Sequence, residues 1–317
     1  MKFFHYIGYV LVALVISFYS DHAKAYGQEN SLAKALTESE NLVKSASQTK
    51  TLQSFRIVAL APHIVEMLFD IDPNIGEQIV GTVEYADYPQ AAKTIPRVGG
   101  YYGLQVEKIL TLQPDIVIAW QQGNKKTDLE QLERLGLKIV YSNPANIDDV
   151  ATQLRAFGKV LLAEKQAEVA ALKFEQKLAN IRQQYANKTP IDVFYQLWPQ
   201  PMMTINKNTW IHQLIEVCQG RNVFGENPTD YPHISIENVM VAQPQIIVIP
   251  DEKSKKVQPE IQWHKWPEIP AVKANAFIEV NADLLHRFST RMLLGLADLC
   301  RDIDNARSAL TDQSSTK

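Results

Sequence analysis

The side chains best suited to chemistry in this chain are histidines, tyrosines and carboxylates. Beyond residue 25 the histidines are His63, His212, His233, His264 and His286. An imidazole can ligate a transition metal, and a tyrosine phenolate such as that of Tyr85 or Tyr101 can ligate haem iron. No H-x-H or H-E-x-x-H spacing occurs, so nothing points to a dedicated metal site. A lone loop histidine more commonly hydrogen-bonds or faces solvent. His63 and Glu66 have helical spacing but no third ligand nearby in sequence. The G-x-S-x-G elbow, the G-x-x-x-x-G-K-[S/T] loop and the G-x-G-x-x-G turn are all missing, which argues against the common nucleophilic and nucleotide-dependent enzymes. The expectation is a protein that is not an enzyme, with no catalytic residue and no cofactor. A hydrolase that assembles a triad from distant residues is the alternative of a different class.

Two carboxylates are paired by a repeat. Residues 104–119, LQVEKILTLQPDIVIA, match residues 234–249, ISIENVMVAQPQIIVI, at a constant offset of 130. Glu107 aligns with Glu237, the Gln-Pro steps coincide, and apolar positions keep their places. Two equivalent carboxylates suit a two-fold partner. Equally, each could stabilise the N-terminus of its own helix.

These groups need elements to carry them. The chain has 317 residues, is 46% hydrophobic and 21% charged, and has a net charge of -3. Such a composition is globular and gives no reason to expect nucleic-acid binding. The length suits about two domains. Lys2 and His5 precede a 13-residue apolar run, Ile7 to Tyr19, followed by Ala23-Lys24-Ala25. That run is short for a membrane span and reads as a signal peptide over 1–25. Residues 26–54 are a polar N-terminal extension. Apolar runs at Arg56–Leu60, Gln78–Val83, Asp115–Ala119 and Lys138–Ser142 read as strands. Helical spacing at Ile64–Phe69, Leu104–Leu112 and Leu129–Leu135 alternates with them. Lys159 to Thr189 holds 31 residues without Gly or Pro and predicts one long amphipathic helix of roughly 40 Å. A second series follows, with strands at Val193–Leu197 and Gln245–Ile249 and helices at Trp210–Cys218, Ile236–Ala242 and Arg291–Ile303. The fold expected is α/β, with an N-terminal lobe over 55–150, a connecting helix over 151–189, a C-terminal lobe over 190–310 and a tail over 311–317. Trp263 and Trp266 read as anchors of a loop, and Lys253, Lys255 and Lys256 as a solvated one. Export favours a disulfide between Cys218 and Cys300, 82 positions apart, over two buried thiols.

The stretch RIVALAPHIVEML at 56–68, YADYP at 85–89, VGGY at 98–101 and LQPDIVI at 112–118 resembles the helical-backbone periplasmic binding proteins. These are the solute receptors of ABC importers for cobalamin, haem and ferric siderophores. The resemblance covers about 55–305. Trp120, EVCQG at 216–220, DLC at 298–300 and DLLHRFS at 283–289 are similar to the cobalamin-binding branch. The resemblance implies two similar Rossmann-like lobes with mainly parallel central sheets, joined by one long rigid helix. It implies a periplasmic monomer that holds cobalamin in the inter-lobe cleft, with haem or a ferric siderophore as alternative ligands. Carried over, the cleft is lined by Pro62, Tyr85, Tyr101, Trp120, Met203, Tyr231, Asp283 and Arg287. Glu107 and Glu237 would dock onto arginines of a dimeric inner-membrane permease that works with ATPase subunits. The branch carries Trp where this chain has Tyr101 and Tyr231, and an aromatic in place of Met203; Trp198 is near enough to compensate.

Overall fold

The computed structural model describes residues 54–251 and 261–315. The signal-peptide reading of 1–25, the extension up to residue 53, the loop of Lys253, Lys255 and Lys256, and the last two residues lie outside that description.

Short apolar runs without polar alternation become strands buried on both faces. The first is β1 (Ile57–Ala59), followed by α1 (Pro62–Ile71), α2 (Pro73–Gly76) and β2 (Ile79–Thr82). Pro62 and Pro73 start their helices, where a missing N–H costs nothing. A hairpin of β3 (Gly99–Gly100) and β4 (Gly103–Leu104) leads to α3 (Val106–Thr111), β5 (Ile116–Trp120), α4 (Lys126–Arg134) and β6 (Ile139–Ser142). The four long strands form a parallel sheet in the order β2-β1-β5-β6. One core packs Val58, Val98 and Val117 of the sheet side against Val106, Ile109 and Leu132 of the helices.

The connection departs from expectation. The stretch 151–189 is two helices, α5 (Asp149–Val160) and α6 (Glu164–Tyr185). They fold back on each other: Arg155 of α5 binds Glu168 and Glu175 of α6, and Asp148 binds Arg182. Leu161–Ala163 makes the turn, with Leu162 in the left-handed region at φ 57°. Gly158 lets the helices approach, since a Cβ there would collide with that of Ala167. The connecting helix is therefore α6 alone, 22 residues or about 33 Å long.

The second lobe comprises β7 (Ile191–Tyr195), a hairpin of β8 (Trp198–Pro199) and β9 (Met202–Met203), α7 (Trp210–Val217), β10 (Gly220–Asn222), α8 (Ile236–Ala242) and β11 (Ile246–Asp251). Then come α9 (Pro270–Lys273), β12 (Phe277–Asn281), α10 (Ala282–Leu285) and α11 (Met292–Ser315). Its parallel sheet runs β10-β7-β11-β12. Both sheets thus place their second strand first, then the first, third and fourth. The repeat extends to backbone angles: Gln113 and Gln243, each before its proline, are left-handed at φ 44° and 48°. Helix α11 runs to Ser315, into the stretch read as a tail, because no Gly or Pro follows Gly295. Cys218, just after α7, is disulfide-bonded to Cys300 of α11.

Candidate functional site

After β1 the chain crosses to β2 on one side, and after β5 it crosses to β6 on the other. A sheet that reverses direction in this way leaves a crevice beyond the carboxyl ends of the two strands. Pro62 follows β1 and Trp120 ends β5, so the sheet order brings both to that crevice. The Trp120 backbone N–H donates to Asn124 Oδ1 at 2.8 Å, and Asn124 Nδ2 donates to the Leu60 carbonyl at 2.8 Å. Gly123 lies under the indole, where a Cβ would overlap the ring. The Trp120 Nε1 is buried and has no acceptor among the described residues.

A file of rings runs from this point into the other lobe. Trp120 meets His63 edge-on at 5.4 Å, His63 lies 6.1 Å from Phe288, and Phe288 lies 4.4 Å from Trp210. His63 is buried, with Nε2 3.3 Å from Ser142 Oγ. Burial, with the positive charge of Arg287 adding to it, pushes the His63 pKa down to about 3. It is a neutral packing group.

Beside the rings the lobes are tied by charge. Arg287 Nη1 donates to Glu66 Oε1 at 2.8 Å and to Asp87 Oδ1 at 2.9 Å, and Nη2 donates to Asp283 Oδ1 at 2.8 Å. Glu66 Oε2 accepts from the Ser289 hydroxyl and lies 3.4 Å from Arg291 Nε. The Arg291 guanidinium stacks 3.8 Å over the Tyr88 ring, and Thr290 donates to Asp70. Burial pushes the Glu66 carboxyl up, while Ser289 and both arginines pull it back. Glu66, Asp70, Asp87 and Tyr88 belong to the first lobe, and residues 287–291 to the second. Arg287 was expected to meet ligand amides. It is 8% exposed, and three of its five N–H groups are already used.

Several tyrosines are exposed. Tyr101 and Tyr102 fill the two-residue loop of the β3–β4 hairpin, their rings 5.7 Å apart, and Tyr101 is 80% exposed. The Tyr102 hydroxyl donates to Glu84 at 2.7 Å. Tyr85 is left-handed at φ 64°, and both Tyr85 and Tyr88 are exposed. On the opposite lobe, Met203 pairs with Trp198 across β9–β8 and with His233 through an isolated bridge. Directly opposed residues share a face of the ladder, so Trp198 does stand beside Met203. Tyr231, two residues before His233, is exposed. His286 Nε2 lies 2.8 Å from the buried Tyr195 hydroxyl. Trp263 is a buried anchor that donates to Gln196 at 2.9 Å.

Glu107 and Glu237 are exposed, each the second residue of its helix, α3 or α8. The Ser235 hydroxyl holds the Glu237 carboxyl below its usual range. Among the described residues no group of three His, Cys, Asp or Glu side chains could hold a metal ion, and no helix is long and apolar enough to cross a membrane. Sequence reasoning missed Asp87, Phe288, Ser289 and Arg291. One signal was available: Glu66 is a lone charge in the apolar run IVEMLF, and a charge on a buried face requires partners.

The family described as periplasmic binding protein matches residues 57–284. A vitamin B12-binding protein of Vibrio cholerae serotype O1 is 34% identical over 252 residues, 79% of this chain and 90% of that protein. Another, from Photorhabdus laumondii subsp. laumondii, is 30% identical over 263 residues, 83% of this chain and 93% of that protein. Among solved structures, the periplasmic vitamin B12 binding protein BtuF of Vibrio cholerae matches with a TM-score of 0.73 and 33% identity, covering 80% of this chain and 98% of that one. The periplasmic heme-binding protein RhuT from Roseiflexus sp. RS-1 matches at 0.71 and 24% identity, covering 80% and 99%. The last likeness is one of fold alone.

Proposed function

This chain belongs to the family of periplasmic binding proteins, and from that premise we propose that it captures cobalamin between its lobes and delivers it to an inner-membrane ABC importer. The observation that carries this reading is the 34% identity to a vitamin B12-binding protein across 79% of the chain. The cleft chemistry supports it. A corrin is a large, mostly apolar disc fringed with amides, and flat aromatic side chains suit its faces. Pro62, Tyr85, Tyr101, Trp120, Met203 and Tyr231 are the surfaces proposed to bury the disc, and Asp283 and Arg287 the groups proposed for its fringe. Capture is non-covalent, without turnover and without a cofactor of the protein's own. Residues 1–25 direct export, and the receptor works as a monomer in the periplasm. Glu107 and Glu237 are the proposed contacts to the two-fold permease, supported by their exposure on repeat-related helices.

The test is a calorimetric titration of the disulfide-intact protein with cyanocobalamin, with haemin in parallel. One-to-one binding of cyanocobalamin alone is the expected result. Binding of haemin alone would overturn it and move attention to the Tyr85 and Tyr101 phenols.

A further inference from the structure

At the lobe junction the base lies inside and the acids outside. The Arg287 side chain is 9% exposed, whereas those of Asp87 and Asp283, which flank it, are 45% and 46% exposed. Its third partner, Glu66, is 1% exposed. Arg291 is drawn inward as well, toward Glu66 and the Tyr88 ring. Arg287 thus faces Glu66, Asp87 and Asp283 while Arg291 faces Glu66, and the half-exposed charges of the cluster are carboxylates. An anionic ligand that came to this junction for an arginine would meet two aspartates first. A primary amide would be welcome: its N–H groups can donate to those aspartates, and its carbonyl can accept from the Arg287 N–H groups still free.

We propose that Asp87, together with Asp283, acts as a charge filter that selects a neutral, amide-fringed ligand over an anionic one of similar shape. The inference rests on the cobalamin reading for the identity of the neutral ligand. An amide and a carboxylate differ little in shape and fully in charge. The probes are therefore cyanocobalamin and its monocarboxylic acids, in which one side-chain amide is hydrolysed. At pH 7 the wild type is expected to prefer cyanocobalamin at least about tenfold over one or more of the acid isomers, as like charges a few ångströms apart require. Asp87→Asn keeps an acceptor for Arg287 and removes one charge. It should narrow that preference about tenfold, chiefly by gain for the acid. Raising the salt should narrow the wild-type preference too, because half-exposed charges are screened; this second measurement needs no variant. Preferences unchanged by Asp87→Asn for every isomer, or insensitive to salt, overturn the filter. If the wild type ignores cyanocobalamin, the cobalamin reading fails, and the filter is read from haemin. Tighter haemin binding by Asp87→Asn supports it, and equal binding overturns it.

Discussion

Trp120 is held by two of its own neighbours, Gly123 beneath the indole and Asn124 on its backbone. A methyl at residue 123 must displace the ring. We therefore expect Gly123→Ala to weaken cyanocobalamin binding about tenfold, about 1.4 kcal/mol, and to lower stability by about 1–3 kcal/mol, as overpacking does. Trp120→Ala should weaken binding at least as much; unchanged affinity in both would remove Trp120 from the site. His63 makes a different prediction. Its folded pKa of about 3 lies below the ordinary 6.5, so the unfolded chain takes up a proton that the folded chain refuses. Stability from this group is whole above about pH 6.5 and is lost as pH falls toward 3, by at most about 4–5 kcal/mol. Urea unfolding between pH 7 and pH 4 should show a shallower decline for His63→Gln than for the wild type; equal slopes would refute this. The residues proposed for the cleft came from the family resemblance of the motifs that carry them, not from residue type alone. Their partners were not legible: nothing local in YADYP or HRFST says that Asp87 and Arg287, 200 positions apart, will meet.

At the scale of elements, the repeat was the most readable feature. It forecast α8 residue for residue and both Gln-Pro turns, because each unit is a complete helix, stop and buried strand. The turn between α5 and α6 was illegible for the opposite reason. Leu161–Ala163 contains none of the residue types that ordinarily break a helix, and tertiary packing of the hairpin forces the left-handed Leu162. The two descriptions disagree about one substitution. Inside a continuous helix, Leu162→Gly would cost about 1 kcal/mol. At a left-handed, solvent-exposed position it should be neutral or stabilising by up to about 1 kcal/mol. A shift of the urea midpoint decides between them. Strand β12 also escaped notice, since Glu279 and Asn281 point outward from an edge strand and dilute its apolar signal.

At the scale of the molecule, the disulfide and the two exposed glutamates make separate predictions. Replacing Cys218 and Cys300 together with Ser opens an 82-residue loop and should cost roughly 4–5 kcal/mol on the chain-entropy account, read as a lowered urea midpoint. Reversing both Glu107 and Glu237 to Lys should leave cyanocobalamin titration unchanged and abolish uptake in cells; normal uptake would exclude them from docking. The tie between the lobes has a consequence of another kind. Among the described residues, the side chains that bond or pair with the Glu66 carboxylate all lie within 287–291, more than 220 positions downstream. A polypeptide is made from its N-terminus, so all four strands of the first sheet and all four of the second exist before that pentapeptide does. Until it arrives, Glu66 lacks these partners, and a buried unpaired charge is costly. Glu66 therefore gains its partners late, from a stretch close to the end of synthesis. A nascent chain stalled before residue 287 would carry the residues of both sheets and lack the tie to Glu66.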